Sequence, residues 1–397
     1  MDKNNGAIYD ARKLGKPKMI ILGVQHMFAM FGATILVPIL TGLDISTTLL
    51  MAGLGTLLFH CITKFKVPAF LGSSFAFLGG YAAIKAFSPN DPNSMLPYAC
   101  LGVACAGLIY FILAAVIKAV GIEKVMRFFP PVVTGPIIIA IGLGLAPSAV
   151  SNCTTNWFLA VVALAVIVVF NIWGKGMAKI IPIILGLLIS YGTGLVLYFI
   201  SQANPDLIQN VPWLFSGGAD ANGVYQPIFD FTSLNTICDN ISKGHIFGSE
   251  GLIGIPIHWD QTVFGGIDYS NGALIASSII AIVPIAFATM MEHIGDICAI
   301  GSTTGNNYIK DPGLHRTLVG DGLATTLASL FGGPANTTYG ENTGVLALTR
   351  VYDPRVIRIA AYFAVAVSFF PIVSVIIGSI PSCIIGGISF VLYGMIS

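Results

Sequence analysis

Charged residues are scarce in this chain: Asp, Glu, Lys and Arg together make up 9% of its 397 residues, where soluble domains carry about 25%. That excludes an ordinary water-soluble domain. Neither sign dominates, because the formal net charge is +1, and a broadly basic nucleic-acid surface is excluded with it. The seven cysteines form no CxxC pair, so neither a disulfide framework nor a thiolate metal site is expected. The six histidines show no zinc-site spacing. What remains is apolar: hydrophobic residues are 55% of the chain and mean hydropathy is +0.85. These values define an all-α polytopic membrane protein whose solvent is the lipid bilayer.

A crossing helix needs about 20 apolar residues. By that rule continuous spans are expected near 19–41, 46–63, 97–120, 132–150, 157–174, 178–201, 271–291, 355–377 and 383–397. Three weaker, glycine-rich segments lie at 67–86, 317–333 and 334–349, for about twelve in all. Residues 1–18 are polar and carry Lys3, Arg12, Lys13, Lys16 and Lys18, which reads as a cytoplasmic N-terminal tail and not a cleaved signal. Basic residues recur in alternate connections (Lys64/Lys66, Lys118/Lys124/Arg127, Lys175/Lys179, Lys310/Arg316, Arg350/Arg355/Arg358). The chain is therefore expected to sit with its N-terminus inside. Segment 202–270, acidic and turn-rich, is expected to be an extracytoplasmic loop.

The chain also echoes itself. Gly53-Leu54-Gly55-Thr56 returns as Gly322-Leu323-Ala324-Thr325, Pro68-Ala69 as Pro334-Ala335, and Pro130 with Gly135 as Pro381 with Gly386. Three echoes in one order point to an internal repeat. If 19–201 is a first repeat of seven spans, the second copy, 271–397, enters the membrane inverted and stops after five. The expected architecture has fourteen spans, about twelve of them present.

Two polar clusters interrupt the apolar background. One is Gly332 to Gly344, which holds Tyr339, Gly340, Glu341 and Asn342. A carboxylate at membrane depth costs roughly 2.5–3.5 kcal/mol on insertion scales and so faces a substrate or ion pathway. Aligning Pro68 with Pro334 sets Phe75 against Glu341. The stretches before them, Gly72-Ser73-Ser74 and Thr338-Tyr339-Gly340, are poor helix. Two short extended strands meeting near the midplane, each leading into a half-helix, are expected; loose helices with packing glycines are the alternative. The second cluster is Glu292, His293, Gly295 and Asp296. Glu292 and Asp296, four apart, share a helix face, while His293 points elsewhere. His26, next to Gln25 in the first span, is either a packing residue or part of a proton path.

These residues carry a resemblance. Glu341-Asn342-Thr343-Gly344, followed after four intervening residues by Thr349-Arg350, resembles the motif of the nucleobase–ascorbate transporter family, and Gln25-His26 is similar to its second hallmark. The resemblance covers nearly the whole chain except 202–270. It implies inverted seven-span repeats divided into a core and a gate domain, and a homodimer. It also implies proton-coupled uptake of a nucleobase at the cell membrane, with no cofactor beyond the proton. Glu292 and Glu341 would hold the base, the backbone at Phe75 and Gly340 would contact it, and His26, Asp296 and Asn342 would support the site or the coupling. Uracil is the expected substrate. Aspartate at 296 is common in the purine carriers of the family, which makes a xanthine or other purine permease the alternative. An intramembrane enzyme would need a nucleophile or metal cluster that the motifs do not supply.

Overall fold

The computed structural model describes residues 7–121, 124, 131–179 and 181–396, and it is mostly helical. Five helices among the described residues are long and apolar enough to cross a membrane: Lys16–Thr41, Ile45–Ile62, Pro92–Val120, Pro182–Ala203 and Gly272–Thr304. The first two, α1 (Lys16–Thr41) and α2 (Ile45–Ile62), show how local chemistry sets the boundaries. Gly42, at φ 85°, ends α1 in the left-handed conformation, which glycine adopts without a Cβ penalty. Two residues on, the Asp44 carboxylate accepts the Thr47 N–H at 2.6 Å and caps α2.

Two compact units divide the chain. The first comprises residues 1–136 and 255–370. Besides α1 and α2 it contains strand β1 (Leu71–Ser73), helix α3 (Leu78–Lys85) and helix α4 (Leu96–Val120). The second, 137–254 and 371–397, holds most of α5 (Pro131–Cys153), then α6 (Trp157–Trp173) and α7 (Pro182–Ala203). After a loop with its own small hairpin, β2 (Ser216–Ala219) and β3 (Tyr225–Pro227), and helix α8 (Thr232–Ser242), the chain returns to the first unit. There it forms α9 (Gly272–Ile282), α10 (Ile285–Thr304), α11 (Leu314–Leu330), β4 (Asn336–Thr338), α12 (Gly340–Thr349) and α13 (Pro354–Ser368). The second unit closes with α14 (Pro371–Gly378) and α15 (Ser382–Ile396), the latter packed on α6.

In the first unit α4 packs along α11 and α2 along α13. Glycines allow both approaches. A Cβ at Gly322 would stand 2.6 Å from the Gly107 carbonyl oxygen, and one at Gly53 2.7 Å from that of Ala361. Both glycines open the tetrapeptides that echo each other in the sequence. The threonines that end those tetrapeptides also have matching work: Thr56 Oγ1 accepts Leu71 N–H at 2.9 Å, on β1, and Thr325 Oγ1 donates to the Asn336 carbonyl, on β4.

Strands β1 and β4 pair antiparallel, with Leu71 opposite Thr338, Gly72 opposite Thr337 and Ser73 opposite Asn336. Ser74 N–H to Ala335 O (2.9 Å) and Tyr339 N–H to Phe70 O (3.1 Å) extend the ladder. Segments 67–86 and 334–349 are therefore each a strand followed by a short helix, not continuous spans. The partner strand satisfies backbone groups that a broken helix would leave bare.

Two other expected spans are corrected. The run 355–377 is not one helix: α13 ends at Ser368 and α14 begins at Pro371, because proline lacks the N–H that would continue the ladder. The apolar run beginning at 271 does not end at 291. It continues through a local irregularity at Val283-Pro284 as α10 to Thr304, which places Glu292 and Asp296 within a helix and not at its exit.

Candidate functional site

The site is built where α10 and α12 meet the paired strands. Glu292 and Asp296 lie one turn apart on α10; Glu292 is exposed, Asp296 is half-buried, and Gly295 on the same face borders open space. Asp296 Oδ2 accepts the hydroxyl proton of Thr338, on β4, at 2.8 Å. Its other oxygen faces the start of α12, since a Cβ on Gly340 would stand 3.8 Å from Asp296 Oδ1. The N-cap of α12, Tyr339, makes no side-chain capping bond. The first N–H groups of a helix have no intrahelical partner, so the amide end of α12, opening at Gly340, favours a carbonyl or an anion.

Tyr339 fixes the strand pair to α1. Its hydroxyl donates to Ser73 O (2.9 Å), Thr34 Oγ1 lies 3.3 Å away, and Ser73 Oγ donates to Thr34 O at 3.0 Å. The tyrosine ring crosses Gly72 so closely that a Cβ there would meet it at 2.4 Å. This contact requires glycine at 72.

The other anticipated residues fall as follows. Phe75, just past β1, is half-buried against the apolar core. Asn342 is 1% exposed, and neither of its amide atoms has a hydrogen-bond partner. An unpaired buried polar group costs about 1–3 kcal/mol, so its amide is a strong candidate for contact with a bound molecule. The backbone of Glu341 lies in α12, but its side chain is outside the described residues. His26 is fully buried with both ring nitrogens unpartnered, and no hydrogen bond joins it to Glu292, Asp296 or Asn342 among the described residues.

His293 points away from the Glu292 face, as expected of a neighbour in sequence, yet rejoins the cluster from behind. Its Nδ1 lies 3.3 Å from Thr338 Oγ1 and 3.5 Å from Asp321 Oδ2. Asp321, on α11, was not among the expected site residues, although it is the single carboxylate within 317–333, and that position alone marks it as costly to bury. Both side chains are fully buried. Among the described residues no group of three His, Cys, Asp or Glu is arranged to hold a metal ion.

Apolar helices of spanning length, two short paired strands, and carboxylates one turn apart on a helix beside the start of another fit a membrane transporter. The fold is that of known carriers: the transmembrane domain of a cyanobacterium bicarbonate transporter, BicA, superposes with a TM-score of 0.66 at 13% identity, covering 98% of this chain and 90% of its own. Residues 17–397 match the model of the Permease family (Xan_ur_permease), and the chain belongs to that family. It is 38% identical over 389 residues to the uracil permease of Bacillus caldolyticus, with 95% of this chain and 77% of that protein covered. It is also 35% identical over 396 residues to the putative pyrimidine permease RutG of Escherichia coli strain K12, covering 99% and 79%. This is a transport protein and not an enzyme.

Proposed function

We propose that this protein carries uracil, together with a proton, into the cell across the cytoplasmic membrane by alternating access, with its N-terminus inside and its two strands near the midplane. The carrying observation is the placement of Glu292 and Asp296 one turn apart on α10, with Asp296 bonded to β4 and facing the amide end of α12. Uracil presents N–H donors beside C=O acceptors. A carboxylate at Glu292 accepts the former, and amides at Gly340 serve the latter. Phe75, at the end of β1, offers a ring edge or face to the flat base. Glu341 and Asn342, at the head of α12, complete the polar ring, and His26 and Asp296 support the coupling.

The names of the relatives support the same reading, since two of those reported above are uracil and pyrimidine permeases. The matched packing of α2 on α13 and α4 on α11 supports inverted repeats of a fourteen-span fold, and a homodimer is the proposed assembly.

Thermal stabilisation of the purified protein by a panel of nucleobases tests the reading. Uracil should raise the melting temperature, and xanthine should raise it less at equal concentration. A shift with xanthine alone would make this a purine carrier, and no shift with any base would remove nucleobase binding altogether.

A further inference from the structure

Behind the open face of α10 lies a chain of polar side chains that nucleobase binding does not use. Asp296, Thr338, His293 and Asp321 follow one another at 2.8, 3.3 and 3.5 Å. Thr338 is the junction: its hydroxyl touches both Asp296 and His293, and behind His293 neither oxygen of the buried Asp321 carboxylate has a hydrogen-bond partner among the described residues. His293 and Asp321 are shut off from solvent, and His293 Nε2 has no partner. Two titratable groups buried together persist where paired charges or a shared proton neutralise them.

We propose that the His293–Asp321 pair is a buried proton-holding pair whose state is tied to that of Asp296 through the Thr338 hydroxyl. Thr338 has one hydroxyl proton to donate. With Asp296 ionised, that proton goes to Asp296 Oδ2, the threonine oxygen accepts from Nδ1–H, and His293 is an imidazolium held against the Asp321 carboxylate. A proton arriving on Asp296 turns that carboxyl into a donor to Thr338. The hydroxyl proton then swings to Nδ1, which accepts only as a neutral imidazole, and the Nδ1 proton passes to Asp321 Oδ2. One N–H bond breaks and one O–H bond forms. The cluster gains the single proton delivered, and its charge goes from one negative to zero.

The surrounding titratable groups set the background to this switch. Glu292 lies on α10 itself. Tyr110, on α4, donates to Thr289, on α10, at 2.7 Å. His60, on α2, lies across the Phe59 ring, which meets the His293 ring edge-on at 6.2 Å between centroids, and is bonded to Ala69 O. Glu341 follows on α12. Among the described side chains, Thr338 bonds both Asp296 and His293 and so connects the pair to the face where substrate would bind. His293, Asp321 and Thr338 act as positioning residues through Asp296. The use of this pair in transport rests on the proton-coupled reading above; its linkage to Asp296 does not.

Infrared difference spectroscopy of the membrane-reconstituted protein, titrated between about pH 5 and 8 where imidazole and perturbed carboxyl groups change charge, reads the linkage without any ligand. The protonated-carboxyl signals lost in Asp296→Asn and in Asp321→Asn should rise with a common midpoint in the wild type. Thr338→Val should separate the midpoints by about one pH unit or more, and Thr338→Ser should rejoin them. A difference spectrum unchanged by Asp321→Asn, or a common midpoint that survives Thr338→Val, overturns the proposal. If Asp321→Asn does not fold, the valine-against-serine comparison at 338 decides alone. Uracil added to the wild type should move the common midpoint. An unmoved midpoint with the linkage intact counts against the coupled-transport reading and leaves the buried pair standing.

Discussion

Single residues on α10 carry the sharpest expectations. Glu292 is exposed, and replacing its carboxylate by an amide removes one acceptor while adding a donor that would face a ligand N–H. Glu292→Gln should weaken uracil affinity roughly 10–100-fold, the equivalent of an unmade hydrogen bond to a charged group, as measured by calorimetry. Asp296→Asn keeps the shape and the bond from Thr338 but cannot take up a proton. It should spare binding more than it spares uptake driven by a pH gradient; equal loss in both measurements would remove Asp296 from coupling. Both residues were readable from spacing alone, because a separation of four sets two side chains on one helix face. Asp321 was not, for the Glu292-Asp296 pattern lies on one helix and the His293 contact joins two.

At the scale of elements, the close approach of α4 and α11 is the contact most exposed to mutation. A Cβ on Gly322 would meet Tyr110 Cβ at 2.5 Å and the Gly107 carbonyl at 2.6 Å, and backbone cannot step aside. Gly322→Val should destabilise the first unit by roughly 1–3 kcal/mol, seen as a lower melting temperature, and should loosen β4 through Thr325. The N-terminal segment is a second such element. Ile8 pairs with Val351, Ala11 N–H bonds Asp353 Oδ2 at 2.8 Å, and Tyr9 OH bonds Thr304 O at 2.7 Å. It therefore straps the ends of α10 and α12. Within it the Arg12 side chain, hydrogen-bonded to Asp10, holds that carboxyl down at about 2, with Arg355 adding to the effect. A depressed acid contributes stability above its unfolded value and loses it as pH falls toward the folded one. The strap should therefore stay charged through neutral pH, and Asp10→Asn should leave the pH profile of uptake between about 5 and 8 unmoved. A shifted profile in that variant would place the pH sensor in the strap.

For the whole molecule the expected outcome is uptake of labelled uracil into proteoliposomes that rises when the outside is acidified and collapses with a protonophore. Uptake indifferent to the gradient would leave a uniporter. The fold that supports this was legible in part. Scarce charge and long apolar runs dictated a polytopic bundle, since lipid offers no partners for a backbone. The repeated Gly-Leu-x-Thr tetrapeptides pointed to an internal repeat, and the broken stretches after Pro68 and Pro334 foretold the strands. Pro371 was visible in the sequence, yet its apolar run read as continuous there, because hydropathy is blind to a single missing N–H.

The sequence by itself therefore determined the solvent of this protein, the order of its apolar elements and the identity of the carboxylates on α10, because each depends on local composition or on the 3.6-residue turn. Only the tertiary structure decided that β1 and β4 pair, that Tyr339 crosses Gly72, and that Thr338 stands between Asp296 and His293 with Asp321 behind. Those contacts join residues tens to hundreds of positions apart, and nothing in a one-dimensional pattern states which distant hydroxyl a buried imidazole will face.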